Sequence, residues 1–125
     1  MKSRGFTLIE LLIVVVIIGL LAVIAIPKLS NTKQKAYVAQ MKSDLKNLAT
    51  AEEAFFYDST FYTTNLAALN NFRASTGVTL TVASATPGGW SAQAIHAQTT
   101  RQCALFQGNA PPIAPAVIEG RITCT

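Results

Sequence analysis

Charge is scarce in this sequence. Only 13% of its 125 residues are Asp, Glu, Lys or Arg, against an apolar share of 50%. The shortage is concentrated in residues 6 to 26, which are apolar apart from Thr7, Glu10 and Gly19. Beyond them the chain reads as an ordinary, rather polar secreted protein. Histidine occurs once, at His96, with no Ser/Asp constellation near it, which argues against a general base. Two cysteines without clustered histidines do not make a zinc-type site, so neither a metal nor a cofactor is expected. There is no phosphate-cradling glycine loop and no Asn-x-Ser/Thr acceptor. Glu52 and Glu53 are adjacent, so on a helix they point in different directions and form no acid–base pair. No catalytic residue is expected, and the chain does not read as an enzyme.

Glycine and proline are missing from residues 28 to 57, so a helix that starts near Phe6 can run to about Tyr57. Fifty-two residues at ~1.5 Å each make a rod of roughly 78 Å, more than twice the ~30 Å hydrocarbon core of a bilayer. The first half, residues 6–27, has the length and apolarity of a membrane span. A basic head, residues 1–5 (MKSRG), precedes it. That head ends in Gly5, and no A-x-A cleavage site follows in LAVIAIPKLS, so a conventional secretory signal is disfavoured and the apolar segment is expected to be kept. In the second half, residues 28–57, Val38, Met41, Leu45, Leu48 and Phe55 recur at spacings of three, four, three and seven, on one helical face. Phe55, Phe56, Tyr57, Phe61 and Tyr62 gather where the helix should end and read as a core plug.

Residues 58–125 are expected to cover that stripe. A short helix is predicted in NLAALNNF (65–72), and from Val78 the apolar period switches to two. TPGG (86–89) signals a turn, with GWSAQAIHA (89–97) as the returning strand, CALFQ (103–107) as a third and VIEGRITC (117–124) as a fourth beyond a Pro-rich loop. The fold class is therefore α+β, a long N-terminal helix packed on a C-terminal antiparallel sheet of about four strands.

The net charge of +4 falls to +2 without Lys2 and Arg4. Lys28, Lys33, Lys35, Lys42 and Lys46 spread along one helical segment and read as a solvated face rather than a nucleic-acid patch.

The stretch GFTLIELLIVVVIIGLLAVIAIP resembles the class III signal of type IV pilins and type II secretion pseudopilins. In that family a basic leader ends in Gly, cleavage falls before Phe, and a Glu lies four residues beyond; Gly5, Phe6 and Glu10 match, as do the helix interruptions Gly19 and Pro27. The segment AEEAFFYDSTFYTTNLAAL is similar to the one that leaves the pilin helix. The resemblance implies a type IV pilin-like fold, cleavage after Gly5 and N-methylation of Phe6 by a prepilin peptidase, and assembly into a helical homopolymer on an inner-membrane platform, with minor pilins as further partners. It implies a single-span precursor with a cytoplasmic amino terminus, then an extracellular filament or periplasmic pseudopilus. A carboxylate in the apolar run costs a few kcal/mol unless paired, and cleavage before Phe6 would create an α-amino group one helical turn from Glu10. Gly19 and Pro27 are expected to break or bend the helix during assembly, since Pro27 leaves the Val23 carbonyl without its donor. Cys103 and Cys124 are an even pair whose disulfide would contribute ~3 kcal/mol; two unpaired thiols are the alternative.

Two other filament roles compete with a type IV pilus subunit used in adhesion, motility or DNA uptake. The major pseudopilin of the family carries acidic, calcium-binding C-terminal loops, whereas here Glu119 is the only acid after Asp58. A minor pilin of a DNA-uptake system would use Arg73, Arg101 and Arg121 on phosphate. From a different class, a single-span anchored periplasmic binding module would remain monomeric.

Overall fold

The computed structural model describes residues 1 and 4–125; Lys2 and Ser3 of the basic head lie outside the described residues. Helix α1 covers Leu8–Ser59. It starts two residues later than the sequence suggests because Thr7 caps it: the Thr7 hydroxyl oxygen accepts from the Glu10 amide at 3.3 Å. It ends two residues later, at the point where Thr60 turns into the left-handed region (φ 66°). There the Thr60 amide still donates to the Phe56 carbonyl at 2.8 Å, and the Ser59 hydroxyl donates to the Phe55 carbonyl at 2.7 Å.

The helix runs unbroken through Gly19 and Pro27. The break expected there is thus not a feature of the single chain. Proline's fixed φ is itself helical, so one missing amide leaves a weak turn while the turns on either side keep their bonds.

The chain divides into two compact units, Met1–Gln34 and Lys35–Thr125. In the first, the side chains of the apolar run stand in the open, with Leu8 at 82% and Val23 at 72% exposure. The second is the head. A single 3₁₀ turn, Leu66–Ala68, is all that forms of the short helix expected at 65–72. Asn65 caps it through its side-chain oxygen. Strands β1 (Val78–Thr86), β2 (Gly89–His96), β3 (Gln102–Gly108) and β4 (Thr123–Cys124) follow. They form one sheet in the order β1-β2-β3-β4, with every neighbouring pair antiparallel. At the mouth of the β1–β2 hairpin, Gly89 lies opposite Gly108. A Cβ on Gly108 would collide with the Gly88 carbonyl, and its φ of +62° also favours glycine.

The fourth strand is much shorter than the expected 117–124. Gly120 turns at φ +71° and donates to the Phe106 carbonyl at 2.9 Å, while Glu119 Oε1 accepts from the Gly108 amide at 2.8 Å. These bonds hold 119–120 against the end of β3 as a turn, so ladder pairing is left to Thr123 and Cys124.

The main core lies between α1 and one sheet face: Met41, Leu45 and Leu48 meet Leu80, Val82, Trp90 and Leu105. The alternation seen in the sequence decides which side chains reach it, with Val78, Leu80 and Val82 buried and Thr79 and Thr81 exposed. On the other face, Ala104 and Phe106 pack with Ala116 and Ile113 of the Pro-rich loop. That loop covers the second face, a job the sequence alone did not assign to it.

Candidate functional site

The amino-terminal turn combines the residues singled out by sequence. Gly5 and Phe6 are exposed ahead of the helix, and a Cβ on Gly5 would meet nothing. Glu10 Oε2 accepts from the Thr7 amide at 2.8 Å and from the Thr7 hydroxyl at 2.6 Å. With the reciprocal bond to the Glu10 amide, this is a capping box, Thr-x-x-Glu. Thr7 is the residue that sequence reasoning missed, and its signal was the Thr-Leu-Ile-Glu spacing itself. The carboxylate in the apolar run is therefore already half engaged before any cleavage. Its Oε2 is occupied, whereas Oε1 has no partner among the described residues. Gly19 also faces open space, so no contact within the chain demands a glycine there.

In the head, Cys103 and Cys124 are register partners on β3 and β4 and form a disulfide. Two buried carboxylates tie α1 to the segment before the sheet. Asp44 accepts from the Ser75 amide at 2.8 Å and from its hydroxyl at 2.9 Å. Glu52 Oε2 accepts from the Thr63 amide at 3.1 Å, while its Oε1 is buried with no partner. Burial pushes the Glu52 carboxyl above the ordinary range, against the pull of the Thr63 amide, and the neighbouring Glu53 charge adds to the rise. Glu53 is exposed and accepts from the Tyr62 hydroxyl at 2.9 Å. The signal for Glu52 was the gap of seven between Leu48 and Phe55, since Glu52 stands where a core residue was due. Phe55 and Tyr62 pack against the core, whereas Tyr57 is 88% exposed. His96 is buried against the Tyr37 ring, 4.3 Å between centroids, and its Nδ1 accepts from the Gln98 amide at 3.0 Å.

The three arginines weighed against nucleic acid are not brought together. Arg101 and Arg121 border grooves that also carry Lys42, while Arg73 sits with Asn70 and Asn71 beside Ala51 and Ala54.

A long apolar helix with a glycine, a phenylalanine and a capping glutamate at its start, continuing into a four-stranded antiparallel head, defines a type IV pilin-like α+β protein. The profile of the prokaryotic N-terminal methylation motif matches residues 1–26. Beyond that motif, the amino-terminal half of the chain is similar to type IV pilins and type II secretion core proteins. It is 48% identical over 61 residues to the type IV major pilin protein of Myxococcus xanthus, which covers 49% of this chain and 28% of that protein. Over 63 residues it is 41% identical to type II secretion system core protein G of Escherichia coli (50% of this chain, 43% of the relative). Over 68 residues it is 40% identical to the type IV wide pilus major component of Thermus thermophilus (54% and 52%). The matched stretch thus spans about half of this chain and about half or less of each relative. The helix and motif fit a membrane-anchored precursor.

Proposed function

We propose that the chain is a structural subunit of a type IV pilus-like filament, cut after Gly5, N-methylated on Phe6 and polymerised through α1. The observation that carries this is the placement of Gly5, Phe6 and Glu10 within the methylation motif, at the start of a helix whose apolar first half is uncovered in the single chain. Such a surface needs lipid before assembly and neighbouring helices after it. Among the described residues one helix, Leu8–Ser59, is long and apolar enough to cross a membrane, with a mean hydropathy of 3.3 over an 18-residue window.

The chemistry at the amino terminus follows from charge. Cleavage converts the Phe6 amide into an ammonium, still cationic after one methylation. Thr7 and Glu10 both lie beyond the cut, so the capping box survives it and holds the carboxylate by Oε2. Glu10 Oε1 is then left for the ammonium of a neighbouring subunit. In a bundle of parallel apolar helices, which slide freely on one another, such a pair fixes register. The turn at Gly19 and Pro27, short of one backbone bond, is where the helix opens most cheaply as subunits pack. Prepilin peptidase and an inner-membrane platform are the implied partners, with the chain as substrate rather than catalyst and its amino terminus cytoplasmic.

Mass spectrometry of a sheared-filament fraction tests the reading. The expected subunit begins at methylated Phe6 and lacks two hydrogens through the Cys103–Cys124 bridge. A monomer beginning at Met1 and released only by detergent would point instead to an anchored periplasmic module. Glu10→Ala is expected to leave the subunit inserted but unassembled; normal filament yield would overturn the pairing.

A further inference from the structure

Residues 61–64, just beyond α1, belong to neither helix nor strand. Thr60, at φ 66°, turns the chain back on itself there. Side chains of α1 then hold the returning segment. Glu52 Oε2 accepts from the Thr63 amide at 3.1 Å, and Glu53 Oε1 accepts from the Tyr62 hydroxyl at 2.9 Å. Two ring pairs lie over the same turns: Phe55 meets Phe61 edge-on at 5.6 Å, and Phe56 stacks on Tyr62 at 4.7 Å. A segment held from outside the strand ladder opens at lower cost than the sheet does.

The two buried carboxylates of α1 differ in one respect. Both oxygens of Asp44 are bonded to Ser75. Glu52 is fully buried, yet its Oε1 has no partner, and a buried charged oxygen without a donor is costly. Nothing ionisable nearby offsets that cost. The neighbouring charge on α1 is Glu53, of the same sign. The titratable group on the returning segment is the Tyr62 hydroxyl, which Glu53 holds. The sheet face across from α1 presents Leu80, Val82, Trp90 and Leu105, none of which carries charge.

We infer that residues 60–64 form a strap that closes over the neutral Glu52 carboxyl and lifts when that carboxyl ionises. While the group is neutral, an unpartnered Oε1 is tolerable in the closed strap. Once it is charged, Oε1 is hydrated only if the segment bearing its Thr63 donor moves away. The sign of the proton linkage follows from the surroundings. Burial raises the titration of the closed state, the Thr63 amide pulls against it, and the Glu53 charge adds to the rise. The closed strap is therefore fully stable below the range of a hydrated glutamate and loses stability as pH rises through its own higher range. Opening releases the Glu52 proton to water. Phe61 and Tyr62 move with the strap, so the aromatic surface at the end of α1 changes with pH. The device belongs to the single chain and does not depend on the filament reading.

Amide hydrogen exchange of the isotope-labelled full chain in detergent micelles tests this, read by NMR and corrected for the intrinsic rate at each pH. The Thr63 amide is expected to lose protection as pH rises beyond the ordinary glutamate range, by up to about tenfold per pH unit for one proton released. The amides of Ala92 and Ala94, in the middle of β2, are expected to keep theirs. Glu52→Gln, which cannot ionise, is expected to hold Thr63 protection level across the same range. Flat protection at Thr63 in the natural chain overturns the strap, and that result needs no variant. An equal loss in the Gln variant overturns it as well. So does a parallel loss at Ala92 and Ala94, because the head would then be opening as a whole.

Discussion

Removing the Asp44 carboxylate should destabilise the head more than any other single polar change on α1. Asp44 is 2% exposed and receives two bonds from Ser75, at 2.8 and 2.9 Å. Ser75 in turn accepts from the Val78 amide at 3.0 Å, so the carboxylate anchors the turn that launches β1 onto a helix 31 residues earlier in the chain. Hydrogen bonds to charged groups contribute about 1.5–3 kcal/mol each, and a stranded buried partner adds to the loss. Ser75 is only half buried, so water recovers part of this, and Asp44→Ala is expected to cost about 2–4 kcal/mol. At ~4–8 °C per kcal/mol for a domain of this size, that is a fall in Tm of roughly 8–32 °C. Ser75→Ala keeps the amide bond and should cost about 1 kcal/mol. The assay is guanidinium unfolding of the full chain in detergent micelles, read by the fluorescence of Trp90, the only tryptophan, which is fully buried beside α1. The double variant should be less destabilised than the sum of the two, because the Ser75 hydroxyl has no partner once Asp44 is gone. An Asp44→Ala cost below 1 kcal/mol, or strict additivity with Ser75→Ala, would refute the clamp.

Glu52→Gln is expected to match wild-type stability at acid pH and exceed it as pH rises. The folded carboxyl titrates above its unfolded value, so the native state holds the proton longer and wild-type stability falls across that window, with a limiting slope of ~1.4 kcal/mol per pH unit. A wild-type profile that rises with pH there would contradict it. Reducing the Cys103–Cys124 bridge, or replacing both cysteines with serine, should cost about 3 kcal/mol in the same unfolding assay, since it frees a loop spanning 21 residues. Gly5→Phe should accumulate uncleaved precursor on a denaturing gel, because a peptidase must approach the backbone closely at a position where no side chain now stands; normal processing would show that the small residue is dispensable. Pro27→Ala supplies the missing amide and is expected to slow helix exchange at the Val23 carbonyl turn, seen as added hydrogen-exchange protection; unchanged protection would remove the weak turn from the account.

The apolar run, the unbroken stripe to the helix end, the period of two after Val78 and the turn at TPGG were all written locally, and the helix and first three strands follow from them. So was the amino-terminal site, because Gly5, Phe6, Thr7 and Glu10 lie within six consecutive residues. Three features were not local. The Asp44 and Glu52 carboxylates read as polar interruptions of the stripe until Ser75 and Thr63, 31 and 11 residues away, supply their donors. The fourth strand shrank because Glu119 and Gly120 bond to β3 rather than extend beyond it. The second sheet face was covered only once Ile113 and Ala116 of the Pro-rich loop had packed on Ala104 and Phe106. Periodicity and capping are set by neighbours a turn or a residue apart, and the sequence alone determines them. Which buried charge is satisfied depends on chain segments that meet only through tertiary packing, and only the folded head decides it.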